Sequence, residues 1–248
     1  MSDPEAIPAA TVIVMRESAE GSPELLMVER ARAMSFAGGA LVFPGGRVDP
    51  GDHALAATLA GDAEDLAARI AAVRETIEEA AVAVGVHVPA GAIPDLRRRL
   101  YAGEAMGALL EAYGGTLKLD ALHPFARWLP SGVHHKVFDT RFYLARAPDG
   151  AEPVVDGNEN VRVFWASAQA VLDAADRGEA MIIFPTRRNL ERLALFETFD
   201  AAVADARAHP PRTVTPWIER RTDGEHLCIP DDLGYPVTSE PLARAIRA

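Results

Sequence analysis

The stretch RETIEEAA, Arg74 to Ala81, places Glu75, Glu78 and Glu79 at positions i, i+3 and i+4. On a helix these three carboxylates share one side, and each exposed like-charged pair costs a few tenths of a kcal/mol. They also stand toward the C-terminal half of the helix, where the macrodipole disfavours acids by ~0.3–1 kcal/mol. Arg74, four residues before Glu78, gives the only local relief. Two chemistries fit such a cluster. One is an ordinary solvated face, the simpler reading of the pattern alone. The other is a hard-oxygen site for a divalent cation such as Mg2+ or Mn2+, which takes several carboxylate oxygens and leaves room for water. Upstream, FPGGRVD reads by itself as a tight turn after a strand. Glu159, in DGNENVRVFW, is a loop acid ahead of a strand. His134, His135 and Lys136 form a trio able to meet phosphates or take a proton near neutrality. Arg30 ends a strand as either a surface cation or a substrate contact.

The elements that must position these residues are legible in outline. TVIVMR (11–16) and ELLMVE (24–29) are predicted strands around a turn-like SAEGSP, and GGALVFPGGRVDPGD is predicted to be a short strand followed by a turn or loop. A helix is signalled from Asp62, with Asp62 as N-cap, acids in its first turn and Gly85 as its C-terminal signal. Its apolar residues Leu66, Ile70, Val73, Ile77, Ala81 and Val84 form one stripe. The three glutamates fall between about 120° and 220° from its centre at ~100° per residue. Residues 92–113 are predicted helical despite Gly103 and Gly107. KVFDTRFYLAR and VRVFWA are predicted strands, Ser167 to Arg177 a helix capped by Ser167, and Thr186 to Ala208 one longer helix. In that helix Leu190, Leu193, Ala194 and Phe196 suggest core packing or a homodimer contact, and an arginine among Arg187, Arg188 and Arg192 around them is the candidate to line a substrate groove. Asp139 and Arg141 are spaced to share one strand face, as a structural pair or as part of a site. Trp217 and Tyr235 belong to an irregular tail, as cover for a core edge or a platform for an adenine. Interleaved strands and helices argue for an α/β or α+β fold.

Composition narrows the classes. A chain of 248 residues, 49% hydrophobic, can bury a core, and the reading is one domain over 1–184 with residues 185–248 packed on it as an extension. A net charge of −11 supplies no basic surface for a nucleic-acid backbone, so phosphates must be met locally. Cys228 is the only cysteine, which excludes an intrachain disulfide and a multi-thiolate zinc site. The N-terminal residues carry no leader pattern and no apolar run approaches ~18 residues, so a cytoplasmic protein with no membrane partner is expected.

Taken together, P-G-G followed by R-E-x-x-E-E resembles the signature of the Nudix hydrolases. Arg74 follows Gly46 by 28 positions where the family pattern has 14, an insertion falling at about 53–68. Asp52 stands where the pattern's first Glu belongs, Thr76 replaces an apolar residue, and Ala81 replaces the closing glycine. MSFAGGALVFPGGRVD, the lengthened box, WLPS, KVFDTRFY, the Glu159–Trp165 spacing and IPDDLGYP resemble the subgroup that includes a peroxisomal coenzyme A diphosphatase and bacterial relatives. Arg30, Ala31 and Gly39 fall in register with a coenzyme A signature, although Ser35 replaces its second Arg, and Val137 stands where the subgroup often has Arg.

The resemblance implies an α/β/α sandwich with a mixed central sheet and hydrolysis of a nucleoside diphosphate linked to another moiety. Coenzyme A or acyl-coenzyme A is the favoured substrate. An ADP-ribose or NADH-type dinucleotide, or nucleotide binding without cleavage, is the alternative. It further implies Mg2+ or Mn2+ held by Glu75, Glu78, Glu79 and the Gly45 carbonyl, and a salt bridge from Arg74 that steadies the glutamates. Glu78 or Glu159 would be the base, and Arg30, Arg47 and Lys136 the substrate contacts.

Overall fold

The computed structural model describes residues 6–19, 21–34, 37–130 and 137–245. Its centre is a mixed eight-stranded sheet. Strands β1 (Ile7–Ser18) and β2 (Gly21–Arg30) form a hairpin paired from Met15–Leu25 to Ser18–Gly21, and then diverge. The fork is filled by β3 (Leu41–Val42), which pairs with β2, and β4 (Gly45–Arg47), which pairs with β1. The segment Leu41–Arg47, which carries the PGG, is thus held at a split in the sheet, β3 by β2 and the PGG itself by β1. On the other edge of β1, β8 (Phe138–Arg146) runs parallel from Ile7–Phe138 to Met15–Arg146. Beyond it lie β7 (His123–Trp128), antiparallel to β8, and β10 (Thr213–Val214), parallel to β7. Strand β9 (Asn160–Ser167) pairs antiparallel with β2 along Glu24–Arg30.

Strand β1 is apolar at successive positions because both its faces are covered. Ala10, Val12 and Val14 join one core with Ile70, Val73 and Ile77, while Ile13 and Met15 join another with Leu190, Phe199 and Tyr235. The first core is closed by α1 (Pro50–Ala56), α2 (Ala63–Ala80), α3 (Ile93–Tyr101) and α4 (Met106–Tyr113). A short ladder of β5 (Val86–His87) and β6 (Thr116–Leu117) adjoins it. The second core is closed by α5 (Ala168–Asp176), α6 (Phe184–Leu193) and α7 (Phe199–Ala208). The result is the expected α/β/α arrangement around a mixed sheet. A three-stranded antiparallel sheet, β11 (Trp217–Arg221), β12 (Gly224–Cys228) and β13 (Ser239–Pro241), precedes a short α8 (Leu242–Ala245). Among the described residues no helix is long and apolar enough to cross a membrane.

Helix α2 forms where its signals put it. Asp62 accepts a hydrogen bond from the Asp65 amide at 2.9 Å, and the stripe residues Ile70, Val73 and Ile77 are fully buried, worth ~1.5–3 kcal/mol each. Its end differs from expectation. The helix stops at Ala80, and Ala81, not Gly85, takes the left-handed C-terminal conformation at φ 57°. The opposite face is not solvated either. Arg74 and Glu79 are buried, the side chains of Glu75 and Glu78 are 17% and 13% exposed, and on the flank the fully buried Thr76 donates its Oγ1–H back to the Ala72 carbonyl at 2.7 Å.

Other boundaries need correction. The segment after Arg47 is not only loop: Asp49 caps α1, Pro50 starts it and Asp52 completes a capping box. The predicted helix over 92–113 is two helices, separated near Gly103, whose φ of 82° lies outside helical geometry. The single helix over 186–208 is likewise two, because Thr198 caps a new start at Phe199 by accepting from the Ala201 amide at 3.1 Å. Asp139 and Arg141 do not pair with each other. Asp139 pairs with Arg127 across β7 and β8, and Arg141 reaches Asp65 at 3.5 Å.

Candidate active site

The site is built where α2 passes under the fork of the sheet. Gly45 donates its N–H to Glu79 Oε2 at 3.0 Å. A Cβ on Gly45 would lie 2.5 Å from the Ala10 carbonyl oxygen, and one on Gly46 would collide with the Glu75 carboxylate. Both glycines are therefore required by close approach, one to a strand and the other to a helix side chain.

Arg74 organises the acids around it. Its Nε and one NH2 group donate to the two oxygens of Asp52 at 3.1 and 2.9 Å, and that group also meets the Arg47 carbonyl at 2.9 Å. The other nitrogen donates to Glu75 Oε1 at 2.8 Å and Glu78 Oε2 at 2.9 Å. Burial by itself would weaken the arginine charge, but the bonds and charges of Asp52, Glu75 and Glu78 outweigh it and raise its pKa. Asp52 is thus the partner that fixes Arg74 from α1, a role its place in the sequence does not announce.

The glutamates are out of water and close together. Burial raises the Glu75 pKa despite Arg74, and Glu159 and Asp49 add to the rise. Burial and then the Glu75 charge push Glu78 up to about 7. Glu79, fully enclosed, is pushed to about 8 by burial and Glu75, although the Gly45 N–H, Asn160 and Arg30 favour its charged form. Arg30 approaches Glu79 Oε1 at 3.9 Å, and its Nε has no hydrogen-bond partner among the described residues. Glu159 is exposed on the loop between β8 and β9, its carbonyl held by the Ala31 amide at 2.7 Å.

Arg74, Glu75, Glu78, Glu79, Gly45, Arg30 and Glu159 are therefore assembled around one place. Arg47 is not aimed there in the same way: its side chain is exposed and its carbonyl serves Arg74. Lys136, His134, His135 and Ser35 lie outside the described residues. The arginines of α6 are not site residues: Arg188 is buried on Glu191 and Glu240, and Arg192 on Asp205. Tyr235 covers a core edge, packing against Trp128 and accepting its Nε1–H at 3.1 Å, while Trp217 is exposed.

Among the described residues no three acidic, His or Cys side chains are grouped so as to hold a metal ion by themselves. The donor set nonetheless fits a hard divalent cation. Three carboxylates face a shortage of positive charge, and Mg2+ is ordinarily bound by one or two carboxylates with water and phosphate completing its shell.

Comparison with known proteins agrees with this geometry. The crystal structure of a Nudix hydrolase from Alicyclobacillus acidocaldarius matches with a TM-score of 0.71 at 30% identity, covering 81% of this chain and 96% of that one. A Caenorhabditis elegans protein named as a nudix hydrolase is 28% identical over 235 residues, 92% of this chain and 74% of its own length. No protein-family model matches the chain. The chain belongs to the Nudix hydrolase superfamily and is a hydrolase.

Proposed function

We propose that this hydrolase cleaves the diphosphate of a nucleoside diphosphate linked to another moiety, with coenzyme A or acyl-coenzyme A as its substrate. The observation that carries the reading is the contact of the α2 carboxylates with the PGG backbone, Glu79 on the Gly45 N–H and Glu75 against Gly46. In this reading Glu75, Glu78, Glu79 and the Gly45 carbonyl hold Mg2+ or Mn2+, and Arg47 and Lys136 remain the further substrate contacts that the family resemblance implies.

A pyrophosphate repels an incoming nucleophile, so its charge must be met before water can attack. Bound divalent metal would supply Lewis acidity there. The chain's own residues do the rest. Arg74 holds Glu75 and Glu78 by its hydrogen bonds and is itself held by Asp52. Arg30, whose terminal guanidinium nitrogen lies 3.9 Å from Glu79 Oε1, is the cation disposed to meet a phosphate oxygen. Glu159 stands on the exposed side, where it can accept a proton from attacking water, and Glu78 is the second candidate for that proton. In the same reading residues 185–248 are an extension packed on the domain of 1–184, which the core shared by Leu190, Phe199 and Tyr235 with Ile13 of β1 supports.

The test is turnover of coenzyme A, acetyl-coenzyme A, ADP-ribose, NADH and a diadenosine polyphosphate with Mg2+ or Mn2+, with products identified. Phosphopantetheine release is the expected result. Failure of every compound would support a nucleotide-binding module instead, and full turnover by Glu78→Gln and Glu79→Gln would remove the assigned ligands.

A further inference from the structure

The last four carbonyls of a helix have no partners within it and must find them elsewhere. In α2 these are the carbonyls beside the acidic cluster, and each is taken. The Ala81 amide donates to Ile77 at 2.9 Å, and the Val154 amide donates to Ala80 at 2.9 Å. The two between them are met by side chains of α3. Arg97 Nε donates to the Glu78 carbonyl at 2.8 Å and its NH2 to the Glu79 carbonyl at 3.3 Å, while the Tyr101 hydroxyl reaches the Glu78 carbonyl at 2.7 Å. The i, i+4 spacing puts Arg97 and Tyr101 side by side, one step around from the buried Leu96 and Leu100 that dock α3 on the core.

The same hydroxyl lies 2.9 Å from Asp156 Oδ2. Asp156 in turn accepts from the amides of Asn158 at 3.0 Å, Glu159 at 3.3 Å and Asn160 at 2.9 Å, and so shapes the loop that carries Glu159. Asn160, fully buried, donates from its side chain to Asp156 Oδ2 at 3.4 Å and favours the charged form of Glu79, which brings the loop back beside α2. Arg97, Tyr101 and Asp156 thus link the Glu78 and Glu79 backbone to the Glu159 loop.

We propose that Arg97, Tyr101 and Asp156 are positioning residues that lock the last turn of α2 and the Glu159 loop into one unit, so that Glu78, Glu79 and Glu159 face the same substrate. This rests on the functional reading above. A phenol has one proton for the two acceptors it touches, so it ties both segments with a single group. Misplacement of a catalytic group by about 1 Å can cost 100-fold in rate.

The test pairs two measurements on Tyr101→Phe, Asp156→Asn, Arg97→Gln and Arg97→Lys. Deuterium exchange, read peptide by peptide on the protein alone, needs neither metal nor substrate. Tyr101→Phe is expected to speed exchange in 77–82 and 154–161 together, at an unchanged midpoint of global unfolding. Unchanged exchange in either segment overturns the coupling, whatever the enzyme proves to hydrolyse. On a substrate that the wild type turns over, kcat is expected to fall about tenfold or more in Tyr101→Phe and Arg97→Gln, with KM within about twofold and partial rescue by Arg97→Lys. Wild-type kcat in all four variants refutes the positioning role. An inactive wild type with coupled exchange would refute the substrate assignment and leave the mechanical link supported.

Discussion

One methyl group added at Gly46 separates the acidic site from the fold beneath it. Neither Gly45 nor Gly46 has a positive φ, so alanine's backbone is allowed at both, and only the space around the new Cβ matters. At Gly46 that Cβ lands on the Glu75 carboxylate, with Oε2 at 2.7 Å. Ordinary carbon–oxygen contact requires the carboxylate to retreat by about 1 Å, and a displacement of that size at a reacting centre costs about 100-fold, or ~2.7 kcal/mol of barrier. The neighbour is a side-chain end rather than backbone, so stability should move by only ~1 kcal/mol, less than at Gly45. At Gly45 the Cβ instead meets the Ala10 carbonyl oxygen at 2.5 Å and Thr11 Cα at 2.7 Å, both strand backbone. That clash must push β4 off β1 at ~1–3 kcal/mol or more. Urea denaturation and steady-state kinetics on the two variants give the readout: Gly46→Ala a normal midpoint and a kcat down about 100-fold, Gly45→Ala a lowered midpoint. Normal turnover by Gly46→Ala would refute a working position for Glu75 beside the PGG backbone.

Three more outcomes are expected. Ala81→Gly should stabilise the protein by roughly 0.5 kcal/mol in urea titration, since leaving the left-handed penalty of ~1–2 kcal/mol outweighs the added freedom of the unfolded chain; a loss of stability would contradict the φ of 57°. Asp52→Asn should lower unfolding stability by roughly 1–3 kcal/mol, less than the ~3–5 for a broken isolated buried pair, because Arg74 keeps Glu75 and Glu78. In α6, burial pushes Glu191 to about 7 even though Arg188 and Arg187 oppose the rise. A carboxyl whose folded pKa is raised contributes stability at low pH that is lost as pH climbs from the unfolded value of ~4.3 through about 7. That component of the pH–stability curve should vanish in Glu191→Gln, and an unaltered slope would exclude it.

What the sequence revealed followed from local pattern. The stripe of Ile70, Val73 and Ile77, the Asp62 cap and the Ser167 cap are physics of neighbouring residues, and each forms as read. The acids opposite that stripe were visible by spacing, but their burial was not, because it depends on α1 and α3 arriving from elsewhere in the chain. Asp52 was noticed only as a shorter acid, since nothing local pairs it with Arg74 across the insertion. Arg97, Tyr101, Asp156 and Asn160 carried no motif at all. The i, i+4 spacing of Arg97 and Tyr101 beside Leu96 and Leu100 was the one available signal, and it says which way they face without saying what they meet. The break at 194–198 is not legible in the sequence because Leu195 and Phe196 continue an apolar pattern across it.

The parallel pairing of β1 with β8 also governs how this chain must acquire its shape. Ile7 finds its partner at Phe138, and contacts on the order of 130 residues apart are entropically late, so the central strand cannot be completed early. Until then the β1–β2 hairpin presents an open edge of Val12, Ile13 and Val14, the kind of unpaired strand that recruits other chains. During synthesis that edge stays open until residues beyond 138 have emerged, so yield in a cell should respond to chaperone supply and to temperature more steeply than equilibrium stability does.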